Sequence, residues 1–138
     1  MSSPSAPLLE VEHVKLHFPI KQGLLIDRQV GAVHAVDDIT FTLNEGETLG
    51  LVGESGCGKT TLSRTVMRLL EPTGGAVRFR GTDVTHASRK ELMPLRRDMQ
   101  MVFQDPYASL NPRKRIGQIV GMALERAGHE ESLSLIHI

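Results

Sequence analysis

The sequence has one cysteine, no tryptophan and one tyrosine, and its sixteen basic residues are cancelled by sixteen acidic ones. Each scarcity excludes something. A lone Cys57 cannot form an internal disulfide and fits a reducing compartment. Aromatic residues make up only 4% of the chain, which leaves few platforms on which single-stranded nucleic acid could stack. Zero formal net charge gives no pull toward nucleic acid or anionic lipid, so no nucleic-acid partner is expected. The basic cluster Arg78, Arg80, Arg89, Lys90, Arg96 and Arg97 reads as a solvated face. No apolar run approaches the roughly 18 residues of a membrane span. Met1–Pro7 has neither a basic nor an apolar signal region, so residues 1–7 read as a disordered leader and the chain as cytoplasmic by default. Metal-binding clusters are scarce too. His13 and His17 lie about 13 Å apart along a strand, the other histidines are scattered, and no metal cluster is assigned.

What is present is organised around one stretch. Gly53-Glu54-Ser55-Gly56-Cys57-Gly58-Lys59-Thr60-Thr61 satisfies the phosphate-binding P-loop pattern. Glycines at 53, 56 and 58 allow backbone conformations that a Cβ forbids, so successive N–H groups can turn inward around anionic oxygens. Lys59 offers a compact charge for the β- and γ-phosphates, and the Thr60 hydroxyl is the expected Mg²⁺ ligand. The apolar run Thr48–Val52 predicts a buried parallel strand before the loop. Leu62, Val66, Leu69 and Leu70 mark one stripe of a helix running from Lys59 to about Leu70, with Arg64 and Arg68 off the stripe. The phosphates would then sit at a positive helix N-terminus. A nucleoside triphosphate is the ligand these residues imply.

At 138 residues, one domain is the natural expectation. Leu8–Phe18 alternates as a half-buried antiparallel strand with a phase slip near Val14, which predicts a bulge. Pro19–Val36 reads as an extended hairpin or a long loop, Ala35–Leu43 as a strand, and Asn44–Glu47 as a turn. Pro72–Gly75 stops the helix, Ala76–Arg80 is a short strand, and Arg89–Arg97 a short helix interrupted by Pro94. Gln100–Phe103 predicts a second buried strand that delivers Gln104 at its carboxyl end, where ligands bind in open α/β sheets. Asp105–Lys114 is loop-like. A last helix opens at Arg115 or Ile116, with Ile116, Ile119, Val120, Ala123, Leu124 and Ala127 on one face, and ends at Gly128. No internal repeat is found.

With the phosphate loop and the Gln104 segment together, the chain resembles the ATP-binding subunits of ABC transporters from about Leu8 to Gly128. Residues 53–61 look like their Walker A loop. Met101-Val-Phe-Gln-Asp-Pro-Tyr-Ala-Ser-Leu-Asn-Pro-Arg113 is similar to the Q-loop of the dipeptide and oligopeptide importers. Phe18–Gly23 and Gly31–Asp38 resemble the second, F-type ATPase subunit of that branch. The resemblance implies an α/β P-loop (RecA-like) fold with an amino-terminal antiparallel β subdomain over residues 8–104. Residues 105–130 would be the Q-loop and the start of the helical subdomain. It implies ATP and Mg²⁺ as ligands, with Gln104 touching the metal or attacking water and Phe18 stacking on adenine, the alternative for Phe18 being a core phenylalanine. Its implied partners are a second ATPase subunit in a nucleotide sandwich, membrane permease subunits met by Tyr107–Pro112, and indirectly a substrate-binding protein. The implied location is peripheral, on the cytoplasmic face of the inner membrane.

Three family features have no counterpart in the sequence: the signature motif, a Walker B strand ending in Asp-Glu, and a switch histidine. Residues 131–138 read as a truncated or read-through tail. The expectation is therefore an amino-terminal fragment that binds nucleotide weakly and does not turn it over. Rival readings are a P-loop kinase or GTPase, a non-transport ABC ATPase acting on DNA or the ribosome, and a nucleotide-dependent interaction module.

Overall fold

The computed structural model describes residues 6–22, 28–105 and 110–127. They fall into two compact units, Met1–Pro94 and Leu95–Ile138. The first unit is built on a four-stranded antiparallel sheet in the order β2-β1-β3-β4, with β1 Leu9–Gln22, β2 Arg28–Leu43, β3 Gly74–Phe79 and β4 Thr82–Asp83. It also holds helix α1, Lys59–Val66, while α2, Arg89–Leu95, closes it.

β1 shows why its sequence slips phase. Val11, Val14 and Leu16 are all buried, yet Val11 and Val14 are three residues apart and cannot share a face of a regular strand. The register against β2 shifts between Val11 and Val14 and again before Leu16, and His13 takes a positive φ of 49°. The expected bulge is there. Opposite it, Asp38 also has positive φ (55°), and His13 Nδ1 lies 2.8 Å from Asp38 Oδ1. The bulged His13 N–H donates to Thr40 Oγ1 at 2.9 Å, so the irregularity leaves that donor satisfied. On the other side Gly75, at φ 82°, accommodates the bulge, because a Cβ there would run into the carbonyl oxygens of Glu12 and His13.

Both long strands extend further than the sequence pattern indicates. Pairing continues from Leu9↔Leu43 to Gln22↔Arg28, so of the two expectations for Pro19–Val36 the hairpin is correct. The Asn44–Glu47 turn also forms, closed by Glu47 N–H to Asn44 O at 3.2 Å with Gly46 at φ 76°.

The core collects Val11, Val14, Leu16 and Val36 from the hairpin, Val77 and Phe79 from β3, Val84 beyond β4, Leu62 and Val66 from α1, and Leu92 from α2. Each such side chain contributes about 1.5–3 kcal/mol relative to exposure. The two buried polar residues among the described residues, Thr65 and Thr85, are paired. Thr65 donates to the Thr61 carbonyl at 2.8 Å. The Thr85 hydroxyl accepts from Val77 N–H at 2.8 Å, taking a place that a strand neighbour would otherwise fill.

α1 ends at Val66, short of the expected Leu70. The cause is Arg68, which takes a left-handed conformation at φ 52° and turns its side chain inward. Its side chain is 6% exposed, and the guanidinium donates to the carbonyls of Val84 (2.7 Å), Leu70 (3.4 Å) and Ala87 (3.5 Å). Arg68 thus pins the helix exit to the loop after β4, and Leu69 is left half-exposed. α2 begins with a reciprocal capping box: Ser88 N–H donates to Glu91 Oε2 at 2.7 Å and Glu91 N–H to Ser88 Oγ. It stops one residue after Pro94, two short of the expected Arg97, and Pro94 itself lies inside the helix.

Two expected strands are corrected. Thr48–Val52 forms no strand, with Leu49 and Leu51 half-exposed and Val52 94% exposed. Gln100–Phe103 in the second unit forms none either, and Val102 is likewise 94% exposed. A parallel strand has no partner in its immediate sequence; it needs flanking strands brought in by crossovers. Every ladder among the described residues is antiparallel and belongs to β1–β4, so neither segment has a neighbour to pair with.

The second unit contains helix α3, Ile116–Ala127. Gln118 Oε1 accepts from Arg115 N–H at 3.1 Å, which fixes the start at Ile116. Gly121 is buried while Ile116, Val120 and Met122 are exposed. The expected stop at Gly128 and the tail 131–138 lie outside the described residues. Among those residues no helix is long and apolar enough to cross a membrane.

Candidate nucleotide-binding site

The phosphate loop leaves the exposed segment 48–52 and runs from Gly53 into α1. Cys57 N–H reaches back to the Glu54 carbonyl at 3.4 Å and closes a tight turn in which Gly56 has φ 83°. Gly58, at φ 92°, caps the helix with no side chain. Its Leu62 N–H to Gly58 O bond of 2.8 Å starts the helical ladder. The N–H groups of the first turn, at Lys59, Thr60 and Thr61, have no intrahelical carbonyl and point toward the loop as donors for an anion. Glycine at 58 is required twice over. The φ is left-handed, and a Cβ would run into the Ala35 carbonyl oxygen of β2. α1 packs on β2 at this point, so the hairpin fixes where the loop begins its helix.

Lys59 is folded into the loop. Its ammonium donates to the carbonyls of Gly53 (2.7 Å) and Glu54, and lies 3.4 Å from Cys57 Sγ. An ammonium has three donors and no acceptor, and here three groups of the loop take them. Glu54, Ser55, Gly56, Cys57 and Thr60 are exposed, while Gly58, Lys59 and Thr61 are half-buried. The arrangement is a short concave turn of backbone with a cation at its centre and a hydroxyl, Thr60, at its helical rim. Chemically, it can trade the Lys59–carbonyl bonds for charge-assisted bonds to phosphate oxygens. Thr60 offers an oxygen suited to Mg²⁺, a cation that favours oxygen ligands.

The other residues singled out from the sequence lie elsewhere. Phe18 sits on β1 opposite Val33 and is 42% exposed, so it is not among the buried core residues of the first unit. Gln104 is in the second unit, at an exposed bend after the unpaired apolar segment. Tyr107 lies outside the described residues, and Asn111 Oδ1 accepts from Arg113 N–H at 3.0 Å in a side-chain-closed turn.

One cluster escaped the sequence reading. His17 and His34 are direct cross-strand partners, their rings stacked at 3.9 Å with 17° between planes. Asp37 bridges them, Oδ1 at 3.1 Å from His17 Nε2 and Oδ2 at 3.3 Å from His34 Nδ1. Hydrogen bonds from His34 and then His17 hold the Asp37 carboxyl below the usual carboxylate range. Spacing along one strand correctly separates His13 from His17, but it is blind to a neighbour seventeen residues away on the paired strand. His17, His34 and Asp37 thus bring together ligand-type atoms within 4.8 Å of one another, a grouping that spacing along one strand does not reveal.

Comparison with known proteins follows the same lines. A family model described as ABC transporter matches residues 36–135. The oligopeptide transport ATP-binding protein AppF of Bacillus subtilis (strain 168) is 53% identical over 114 residues, covering 82% of this chain and 34% of that protein. A probable peptide ABC transporter ATP-binding protein of Sinorhizobium fredii is 52% identical over 121 residues, covering 88% of this chain and 34% of that protein. The glutathione import ATP-binding protein GsiA of Escherichia coli (strain K12) is 48% identical over 114 residues, covering 83% and 18% respectively. The chain thus spans about a third of the length of AppF. Among solved structures, a dimeric ATP-binding cassette in a post-hydrolysis state bound to ADP and Pi superposes with a TM-score of 0.69 at 24% identity, over 89% of this chain and 48% of that one. That likeness speaks to the fold: an antiparallel β subdomain joined to a P-loop.

Proposed function

Because this chain belongs to the ABC transporter family, we propose that it is the ATP-binding part of a subunit that powers peptide import. The observation that carries the proposal is the Lys59 ammonium, held by the Gly53 and Glu54 carbonyls inside a glycine turn at the start of α1. Binding Mg·ATP would draw Lys59 off those carbonyls onto the β- and γ-phosphates, the first-turn amides of α1 would take further oxygens, and Thr60 would ligate Mg²⁺. Phe18 offers an exposed aromatic face for adenine, and Gln104 a neutral amide able to donate and accept near the metal or attacking water. The peptide class is supported by relatives named for oligopeptide and glutathione transport. In the whole subunit, two copies or two related subunits would enclose ATP and, through the segment around residues 104–113, act on permeases at the cytoplasmic face of the membrane.

Hydrolysis needs a group to orient or deprotonate the attacking water and a second acidic anchor for Mg²⁺. Gln104 is the residue proposed for the water, and the loop residues supply no acidic anchor, so nucleotide binding is the activity assigned to the loop itself. The test is a thermal melt with Mg·ATP. At about 100 times the Kd, the ligand should add about 2.7 kcal/mol of apparent stability, and Lys59→Ala should remove that gain. A shift that survives Lys59→Ala would put nucleotide binding elsewhere.

A further inference from the structure

We propose that His17, His34 and Asp37 form a binding site for a divalent transition-metal ion of the zinc class on the exposed face of the β1–β2 hairpin. The site is separate from the nucleotide's Mg²⁺, which the phosphate loop would hold with oxygen ligands.

His34 and Asp37 are three residues apart on β2 and in a regular strand would face opposite ways. The register moves from Leu16↔Val36 to His17↔His34, so Ala35 is an extra residue with no partner on β1. That irregularity flips the alternation. Val36 stays buried while both His34 and Asp37 emerge on the exposed face, beside His17. His17 is further tied in by its own N–H, which donates to Thr73 Oγ1 at 3.1 Å. The three side chains are thus gathered by sheet register, on a backbone that does not have to reorganise to receive an ion.

The donor set and its dimensions fit. Two imidazole nitrogens and a carboxylate oxygen are the borderline ligands zinc takes, leaving a fourth position for water. One ligand atom from each residue lies within 4.8 Å of the others. Tetrahedral donors at zinc bond lengths of about 2.0–2.1 Å sit roughly 3.3–3.4 Å apart. The present His17 Nε2–Asp37 Oδ1 and His34 Nδ1–Asp37 Oδ2 distances, 3.1 and 3.3 Å, are hydrogen bonds to two different carboxylate oxygens, so an entering ion replaces those bonds and the stacked rings turn to bring both nitrogens to it. The side chains are 27% (His17), 55% (His34) and 52% (Asp37) exposed, so an ion can enter from solvent. An anionic Asp37 is the partner a cation needs; because a carboxylate only accepts, the neutral rings now present N–H to it, and each gives the ion a lone pair on that side by moving its proton to the other ring nitrogen. The ligating nitrogens follow from the geometry: Nε2 of His17 and Nδ1 of His34.

The test uses the tag-free, chelator-treated full chain carrying Cys57→Ser, so that the loop thiol cannot take the ion, and Zn²⁺ as the probe without nucleotide. Calorimetric titration should give one ion per chain. His34→Ala and Asp37→Asn should each weaken it about tenfold or more, as even outer partners of a metal site do, whereas His86→Ala, at a distant exposed pair with Glu71, should leave it unchanged. Ring ¹⁵N spectra should show the Zn²⁺-dependent shift at Nε2 of His17 and Nδ1 of His34, and they identify the ligands even if a substitution disturbs folding. The absence of binding, binding that survives both substitutions, or ring shifts at other histidines would each overturn the proposal and leave the cluster an ion-paired carboxylate.

Discussion

The β1–β2 hairpin carries many charged residues and the segment Thr48–Val52 none, yet it is the hairpin whose apolar side chains are buried. Both are rich in valine and leucine; Val14 is fully buried and Val52 is 94% exposed. The difference is where each finds its hydrogen-bonding partner. The hairpin has its partner in the next stretch of chain, so local sequence suffices to set register, bulges and core. A strand read as parallel has to be flanked by strands joined through crossovers, and none of the described ladders offers that edge. Apolar composition selects a segment for burial, but only a partner completes it.

Single substitutions can break or sharpen this contrast. The largest effect is expected from placing a carboxylate in the two segments. Val14→Asp buries an unpaired charge and should cost at least about 3 kcal/mol, while Val52→Asp should stay within roughly 0.5 kcal/mol. Chemical denaturation of both variants reads the difference directly, and equal losses would mean that 48–52 is as buried as the hairpin. Next comes Arg68→Ala, which removes three guanidinium–carbonyl bonds and leaves part-buried carbonyls without that donor. A loss of about 1–3 kcal/mol is expected by the same denaturation measurement; no loss would show that the inward Arg68 does not hold the helix exit. The smallest effect is acid sensitivity on the hairpin's exposed face. The Asp37 carboxyl is depressed in the folded chain, so its contribution is complete above the unfolded carboxylate range and is lost as pH falls through the lower folded value. Asp37→Asn should flatten that part of the acid unfolding curve, and an unaltered curve would mean the histidine contacts do not act on Asp37 in solution.

The same contrast explains what the sequence made legible. The phosphate loop could be read because its chemistry fixes residue types at fixed spacing, and the turn at Asn44–Glu47 because Gly46 supplies its positive φ. The bulge near Val14 was visible as a broken alternation. The extension of β1 to Gln22 and of β2 from Arg28 was not, because Pro19–Val36 carries breakers and charge whose pairing across the hairpin overrides local preference. Arg68 read as lying off the helical stripe, and only the tertiary position of the Val84 and Ala87 carbonyls turns it inward. The His17–His34–Asp37 cluster depends on register plus an irregularity at Ala35, two facts that no spacing along the chain records. Phe18 was readable as an aromatic of interest, but its exposure emerged only from the fold.

The central claim is that the glycine turn before α1 is a phosphate cradle in which Lys59 holds loop carbonyls until nucleotide takes their place. A structure of the chain with a non-hydrolysable ATP analogue and Mg²⁺ tests it most directly. The account predicts the triphosphate inside residues 53–61, with Lys59 Nζ moved from the Gly53 carbonyl, now 2.7 Å away, onto phosphate oxygens and Thr60 on the metal. A nucleotide bound elsewhere, with Lys59 still on the carbonyls of Gly53 and Glu54, would contradict it.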